Sequence, residues 1–333
     1  MKRRNFLKAS SLVAATPSFT SLSLEASIEV IKPKALRKGD KIGLVTPASA
    51  LTRSAFEKAL TNLETLGYQV DYSDNIRVRR GFLSGTDEQR VDDLHRMFED
   101  PSIRGIFCAR GGYGSARVLP LLDYDIIRQN PKVFIGYSDI TALHQAIYSK
   151  TGLITFHGPV AASTFNDFTI DYLVDATHKA KRLKIKSESQ VIVPGEANGR
   201  LIGGNLSVLA SLIGTPYEIP YKDHILFIEE IGESIYRIDR MLTQMKQSGV
   251  MEGVRGIVLG YFTDCDYPPE DPDFESSVGL SEVFKDQFED LGVPVIQGFP
   301  FGHEEHNATL PVGAQAILDT RAGRLKIEES TLS

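Results

Sequence analysis

The sequence predicts an α/β protein with two domains, the first of which is built on a parallel sheet. Its first half alternates short apolar runs with segments whose apolar residues recur at helical spacing, which is the pattern of parallel strands joined by helices. The pattern changes after about residue 170, where polar strands become common. The length of 333 residues also suits two domains, since one domain commonly holds about 150 residues.

In the first half, strands are predicted where apolar runs stop at glycine, proline or polar residues, and helices are predicted between them. The predicted strands are residues 41–46, 68–72, 104–108, 132–136 and 153–156. The predicted helices are residues 53–66, 87–97, a segment bearing Ala116, Leu119 and Leu122, and 140–149. Sheets of this kind bind ligands beyond the carboxyl ends of their strands, so we expect functional residues in the loops that follow the predicted strands.

The second half predicts a separate α/β unit with a mixed pattern. Its predicted helices are residues 170–182, 206–213 and 234–247, and its predicted strands are 190–193, 199–202, 224–228, 256–260, 316–319 and 324–327. Residues 268–273 are rich in proline and acidic residues and are predicted to form a loop. We therefore expect an N-terminal domain over residues 27–175 and a C-terminal domain over residues 185–333.

Composition excludes several classes of function. The chain carries 37 basic and 43 acidic residues and a net charge of −6, whereas a nucleic-acid binder needs a basic surface. No apolar run approaches the roughly 18 residues of a membrane span. Cys108 and Cys265 are the only cysteines, which excludes a disulfide-dense scaffold and a four-cysteine zinc site. We expect no cofactor, no metal and no nucleic-acid partner.

Residues 1–26 have the layout of an export signal. Four basic residues, including Arg3 and Arg4, precede a mildly apolar run up to Leu24, and this order of charged, apolar and small residues is typical of signal peptides. Paired arginines resemble the twin-arginine signal that a bacterial export receptor reads. We expect export to the periplasm, with Ala26 as the best candidate for the cleavage site. The alternative is a basic tail on a cytoplasmic protein.

Ser138 is the candidate nucleophile. It follows the apolar strand 132–136 and precedes the helix 140–149, the strand–turn–helix layout of a nucleophile elbow. The free N–H groups at the start of that helix could stabilise negative charge near the serine oxygen. The second glycine of the hydrolase motif is absent, and the alternative is that Ser138 only caps the helix.

The glycine-rich segment 110–114 follows the preceding strand and could hold an anion. Glycines let the backbone approach a ligand and aim N–H groups at it. The segment lacks the ending of a phosphate-binding P-loop and the spacing of a dinucleotide-binding loop. Gly112 and Asp139 are therefore candidate backbone donors of an oxyanion hole, and a plain tight turn is the alternative.

A serine nucleophile needs a base and a carboxylate that orients the base. Glu229 and Glu230 end the apolar run 225–228, and His303 lies in the loop 302–307. His303 and His306 are spaced by three, whereas zinc peptidases with two histidines on a helix need a spacing of four. A metal site is therefore disfavoured. His157, in the segment 156–159, could contact substrate, but a structural histidine is the favoured interpretation.

Seven short motifs in order resemble the LD-carboxypeptidase family, which comprises muramoyltetrapeptide carboxypeptidases and the related microcin-immunity peptidases. The motifs are ARGGYG (109–114), GYSDITA (136–142), FHGP (156–159), GGNL (203–206), FIEEIGE (227–233), YRIDR (236–240), and GH (302–303) followed by NATLPVG (307–313). The resemblance covers about residues 35–328. It implies an N-terminal domain resembling class I amidotransferases, a smaller C-terminal α/β domain, and a site at their junction.

The resemblance also implies the roles of individual residues. Ser138 would be the nucleophile, Glu229 the orienting carboxylate and His303 the general base of a serine peptidase. Glu229 is preferred to Glu230 because it is the first carboxylate after the apolar strand; many relatives have aspartate at the position of Glu230. Known members release the terminal D-alanine from the tetrapeptide stem of peptidoglycan by cleaving an L,D bond. Members often form dimers, so a homodimer is an open expectation.

The sequence leaves the substrate contacts and two competing functions open. A basic group should pair with the terminal carboxylate of the substrate, and Arg110 and Arg240 are candidates; Asn205 is a further candidate for substrate binding. Two other functions remain, an exported non-catalytic solute-binding protein and a microcin-immunity-like amidase with the same triad. Export would be a departure, because recycling enzymes of this family are usually cytoplasmic.

Overall fold

The computed structural model describes residues 29–179, 182–187, 190–265 and 278–333. The expected export signal, residues 1–26, and the acidic loop 268–273 lie outside the described residues. In the described part, none of the helices has the length and apolar character needed to cross a lipid bilayer.

Strands and helices alternate through the first half and mix more freely in the second. The helices are α1 Arg53–Thr65, α2 Asp87–Glu99, α3 Ser115–Val118, α4 Tyr124–Gln129, α5 Thr141–Thr151, α6 Asp167–Thr177, α7 Leu206–Leu212, α8 Ile235–Gln247 and α9 Leu280–Phe288. The strands are β1 Lys41–Val45, β2 Gln69–Asp71, β3 Ile103–Cys108, β4 Val133–Gly136, β5 Thr155–His157, β6 Lys184–Lys186, β7 Gln190–Val193, β8 Glu196–Asn205, β9 His224–Ile231, β10 Gly256–Thr263, β11 Val295–Gln297, β12 Leu310–Val312, β13 Gln315–Asp319 and β14 Arg324–Ile327.

The described strands form two sheets. The first has the order β12-β5-β4-β3-β1-β2; β1 to β5 pair in parallel, and β12 pairs antiparallel with β5. The second has the order β6-β14-β13-β8-β9-β10-β11-β7, with a parallel centre from β8 to β11. The predicted α/β class, with a parallel N-terminal sheet and a C-terminal α/β unit, is confirmed.

The first sheet contains one strand from the second half of the sequence. β12 comes from the second half of the sequence, yet it forms the outer strand of the first sheet through the pairing of Leu310 with His157. All of residues 185–333 were expected in the C-terminal domain, and no strand was predicted at 310–312. Three residues with a central proline give too weak a pattern for a strand prediction, and Pro311 is tolerated because the strand lies at a sheet edge.

Helix α5 packs between the two sheets. Every residue from Thr141 to Tyr148 is buried, and the helix contacts both β5 of the first sheet and β8 of the second. A helix that is covered on all sides must sit inside the protein rather than on its surface. Since α5 begins three residues after Ser138, the candidate nucleophile lies at the junction of the two sheets.

Two predicted helices differ from the observed ones. The segment bearing Ala116, Leu119 and Leu122 is helical only to Val118 and continues as a 3-10 turn through Leu121. Pro120 has no N–H to donate within an α-helix, which accounts for the break. The helix predicted to run to residue 182 ends at Thr177.

Candidate active site

Ser138 lies in a strained turn between β4 and α5. Its φ is +64°, a conformation that residues with a side chain adopt rarely and at an energetic cost. Helix α5 has no side-chain cap, and Ile140 is its N-cap residue. The structure therefore does not use Ser138 as a helix cap, and the backbone has the geometry of an elbow that presents a side chain.

The turn is fixed from behind by a buried histidine. The Gly136 carbonyl accepts hydrogen bonds from His144 Nε2 at 2.8 Å and from the Gly158 amide at 3.0 Å. His144 Nδ1 lies 2.9 Å from Thr155 Oγ1, so a neutral ring protonated on Nε2 satisfies both contacts. Burial lowers the pKa of His144 to about 4, and this histidine is therefore uncharged near neutral pH.

The glycine-rich loop after β3 lies against the serine. A Cβ added at Gly111 would stand 2.9 Å from Ser138 Cβ, so only glycine permits this approach. Gly112 has a φ of +105°, and the Tyr113 amide donates to Ser49 Oγ at 3.0 Å. These contacts bring the backbone of the predicted anion-binding segment beside the candidate nucleophile.

Asp139 also connects the elbow to this loop. Its buried carboxylate accepts a hydrogen bond from the Ser115 amide at 2.8 Å, and Ser115 begins helix α3 directly after the glycine-rich segment. The side chain of Asp139 thus holds the loop and the elbow together. Its backbone amide is the second predicted oxyanion donor, placed at the start of the turn that leads into α5.

His303 and Glu229 form a direct pair. His303 Nδ1 lies 2.6 Å from Glu229 Oε2; the glutamate side chain is fully buried and that of the histidine is 12% exposed. Glu229 reaches this position from β9 of the second sheet. The Tyr137 ring packs on the His303 ring with centroids 4.7 Å apart. The imidazole is thereby held on one side by a carboxylate and on its face by the residue that precedes Ser138.

The loop that carries His303 is held by its backbone. The Glu305 carbonyl accepts from Asn166 Nδ2 at 2.7 Å and from Thr169 Oγ1 at 3.0 Å. The Gly302 amide donates to Asn307 Oδ1 at 3.3 Å. His306 packs against the Phe168 ring at 4.7 Å rather than beside His303. Among the described residues, no group of three or more histidine, cysteine or acidic side chains is arranged to bind a metal ion.

Ser138 and His303 line one cavity of about 410 Å³. Arg110, Gly112 and Ser163 also line it. A smaller cavity of about 280 Å³ shares Tyr137, Ser163 and His303 and extends along Glu304 and Glu305. Tyr137, Ser163 and Gly111 were not predicted from the sequence. Of these three, Tyr137 could have been predicted, because it lies between Gly136 and the candidate nucleophile Ser138 in the sequence.

The three predicted substrate contacts have different placements. Arg110 lines the cavity and donates to the Ala50 carbonyl at 3.1 Å. Arg240 is exposed on α8, with its guanidinium 5.5 Å from the centroid of the Tyr236 ring. Asn205 is buried and does not line this cavity, because its Nδ2 donates to Glu230 Oε1 at 2.8 Å and its Oδ1 accepts from Ser207 Oγ at 2.8 Å.

Glu230 and His157 are buried near the site but do not line the cavity that Ser138 and His303 share. Glu230 accepts from the Ser207 amide at 2.7 Å and the Ile231 amide at 2.9 Å, and burial raises its pKa. His157 is fully buried among aromatic rings, with the Phe227 ring 5.2 Å away. Burial lowers the pKa of His157 well below the ordinary value, so its ring is neutral.

The arrangement as a whole is suited to acyl transfer. It combines a half-buried serine on a strained turn, an imidazole held by a buried carboxylate, and glycine backbone beside the serine hydroxyl, all around one cavity. These are the parts that a hydrolase with a covalent intermediate needs.

Comparison with known proteins gives one consistent family. The family model for the LD-carboxypeptidase N-terminal domain matches residues 42–158, and that for the LD-carboxypeptidase C-terminal domain matches residues 198–318. A probable murein peptide carboxypeptidase of Bacillus subtilis is 40% identical over 304 residues, covering 89% of this chain and 94% of the relative.

Two solved structures extend the similarity. The MccF-like protein from Bacillus anthracis superposes with a TM-score of 0.82 at 32% identity, covering 90% of this chain and 100% of that one. The muramoyltetrapeptide carboxypeptidase from Oxalobacter formigenes superposes with a TM-score of 0.75 at 29% identity, covering 86% of this chain and 97% of that one.

Proposed function

Because the chain belongs to the LD-carboxypeptidase family of peptidases, we propose that it is a serine carboxypeptidase that cleaves an L,D-peptide bond. The bond is the one that holds the terminal D-alanine of a peptidoglycan tetrapeptide stem. The observation that carries the proposal is the 2.6 Å contact between His303 Nδ1 and Glu229 Oε2, on an imidazole that lines the same cavity as Ser138.

The first half of the reaction uses the pair as a base. With Nδ1–H donated to Glu229, His303 Nε2 has the free electron pair that accepts the hydroxyl proton of Ser138. Ser138 Oγ then bonds to the carbonyl carbon of the scissile bond. The buried carboxylate stabilises the imidazolium that forms, and it does so strongly because water is excluded from Glu229.

The oxyanion and the leaving group are handled by neighbouring groups. The amides of Gly112 and Asp139 would donate to the oxyanion, and losing one such donor typically costs about 10²–10³ in rate. As the C–N bond breaks, the proton on His303 Nε2 passes to the amine of the departing D-alanine. Water, deprotonated by the same imidazole, then bonds to the acyl carbon, and the proton passes from His303 to Ser138 Oγ as the bond between that oxygen and the acyl group breaks.

Arg110 is the proposed partner of the terminal carboxylate of the substrate. It is the arginine that lines the cavity with Ser138 and His303, whereas Arg240 is exposed on α8. A guanidinium can bind a carboxylate through two parallel hydrogen bonds. Selecting a free carboxylate would restrict cleavage to the last residue of a chain, which is what defines a carboxypeptidase.

A microcin-immunity-like amidase is the second candidate, favoured by the TM-score of 0.82 to the MccF-like protein. Such an enzyme would use the same serine, histidine and glutamate on a different acyl group. Product analysis separates the two candidates. Purified protein is incubated with a stem tetrapeptide and, separately, with an aminoacyl sulfamoyl adenosine, and mass spectrometry identifies which amide is hydrolysed.

The direct test replaces the nucleophile. Ser138→Ala should abolish release of D-alanine from a stem tetrapeptide and should abolish labelling by a fluorophosphonate serine probe. Ser211→Ala, a serine of α7 whose hydroxyl donates to the Val208 carbonyl, is the matched control and should react normally. D-alanine release that persists in Ser138→Ala would overturn the proposal. Ligand binding with neither turnover nor labelling would instead support a solute-binding protein.

The place of action is a further part of the proposal. We propose that residues 1–26 direct export, because Arg3 and Arg4 precede a mildly apolar segment. Replacing both arginines by lysine should retain the protein in the cytoplasm, as measured by fractionation of cells that express the tagged chain. An unchanged distribution would contradict a twin-arginine signal.

A further inference from the structure

Two buried hydrogen bonds join the helix after the nucleophile to the second sheet. The backbone amide of Asn205 donates to Thr141 Oγ1 at 2.9 Å, and Gln145 Nε2 donates to the Gly203 carbonyl at 2.8 Å. Thr141 and Gln145 stand one turn apart on α5 and are 0% and 2% exposed. Both bonds therefore run from one face of the helix to one short piece of backbone at the end of β8.

That piece of backbone lies beside the carboxylate of the proposed triad. In the parallel pairing of β8 with β9, Gly203 is opposite Phe227 and Asn205 is opposite Glu229. Thr141 is three residues from Ser138 along the chain, and Glu229 contacts His303 directly. The two hydrogen bonds thus lie on a short structural route from the nucleophile, through the sheet junction, to the base.

The glycines at this position permit the close approach. A Cβ added at Gly204 would lie 2.4 Å from Thr141 Oγ1, and one added at Gly203 would lie 1.8 Å from the Phe227 carbonyl oxygen. Both distances are shorter than a non-bonded contact allows. A residue without a side chain is therefore needed at Gly204 for β8 to approach helix α5, and at Gly203 for β8 to approach β9. The Gly203-Gly204 pair accordingly has a packing role.

We propose that Thr141 and Gln145 are positioning residues that set the distance between Ser138 and the Glu229–His303 pair. The nucleophile is carried by the first sheet and the carboxylate by the second, so their separation depends on contacts across the junction. Reacting groups must be held within a fraction of an ångström of the productive geometry, and a 1 Å misplacement can cost about 10²-fold in rate. The inference rests on the proposed serine peptidase activity.

The test removes each side-chain hydrogen bond while keeping the shape. Thr141→Val removes the hydroxyl that accepts from the backbone amide of Asn205, and Thr141→Ser retains it. Gln145→Met removes the side-chain amide that donates to the Gly203 carbonyl. Thr151→Val is the matched control, because Thr151 is a buried threonine of the same helix whose hydroxyl bonds to the Ile147 carbonyl at 2.7 Å, away from the junction. Purified full-length variants are compared for kcat, KM, thermal midpoint and rate of fluorophosphonate labelling.

We expect Thr141→Val and Gln145→Met to lower kcat and the labelling rate about 10- to 100-fold with KM changed little. Thr141→Ser should recover most of the loss, and Thr151→Val should lose stability with near-normal kcat. Equal losses in Thr141→Val and Thr151→Val, or normal labelling in both junction variants, would overturn the inference. If Thr141→Val does not fold, the kcat and labelling rate of Gln145→Met decide the test. A wild-type protein that is not labelled would instead refute the proposed function.

Discussion

Replacing Glu229 by glutamine should remove most of the turnover and leave the fold intact. Glu229 is fully buried and its Oε2 lies 2.6 Å from His303 Nδ1. At a charge separation of about 4 Å and an effective dielectric constant of about 20, a carboxylate stabilises an imidazolium by roughly 4 kcal/mol. That energy corresponds to about a 10³-fold change in rate.

The amide of the glutamine adds a second effect. A glutamine N–H can donate to His303 Nδ1, which favours the tautomer with the proton on Nε2, and that tautomer cannot accept the proton of Ser138. We therefore expect kcat to fall by about 10³- to 10⁴-fold. The assay follows D-alanine released from a saturating stem tetrapeptide by chromatography, with circular dichroism as the check on folding.

Glu230→Gln is the matched control for Glu229→Gln. Glu230 is the next residue and is also buried, but its carboxylate accepts from Asn205 Nδ2 and from the Ser207 and Ile231 amides instead of His303. This variant should lose mainly stability. Turnover within tenfold of wild type for Glu229→Gln, or an equal loss of kcat in both variants, would refute the assignment of Glu229.

Two further predictions concern pH and the substrate carboxylate. Burial lowers the pKa of His144 to about 4, so between about pH 6.5 and 4 the folded state binds fewer protons than the unfolded state. The neutral histidine therefore contributes its full stability above about pH 6.5. As the pH falls, the free energy of unfolding decreases, by roughly 2 kcal/mol at pH 5. Urea unfolding at pH 7 and pH 5 should show this loss in the wild type and a smaller one in His144→Gln, and identical pH dependence would contradict it. Arg110→Met should raise KM about 10- to 100-fold for a peptide with a free terminal carboxylate and much less for its C-terminal amide. Arg240→Met is the comparison, and a KM effect confined to Arg240→Met would assign carboxylate binding to that residue.

The strand–turn–helix around Ser138 was predictable because its signal is local. An apolar strand ends in Gly136 and a helix follows within a few residues, and the length of the turn leaves few conformations. The structure adds the positive φ of Ser138 and the His144 contact behind it. Neither could be derived from the sequence pattern, because periodicity along the chain specifies neither the backbone angles of a single turn residue nor which carbonyl a buried histidine contacts.

The contact between Glu229 and His303 was predictable only through the resemblance. The two residues are 74 positions apart, and periodicity along the chain carries no information about which loop reaches which strand. The same limit applies to Tyr137 on His303 and to the bonds of Thr141 and Gln145 with the second sheet. Asn205 shows a related limit, since the sequence pattern does not reveal that its side-chain amide donates to Glu230.

The position of β12 determines when the first sheet can be completed during synthesis of the chain. On the ribosome, the strands that carry the serine emerge early, but the outer position of their sheet stays empty until Leu310–Val312 has been translated. Until then β5 is an open edge, which invites pairing with other chains. A fragment ending before residue 310 should therefore associate with other copies of itself, and adding the missing carboxyl-terminal piece in trans should be the way to keep it monomeric.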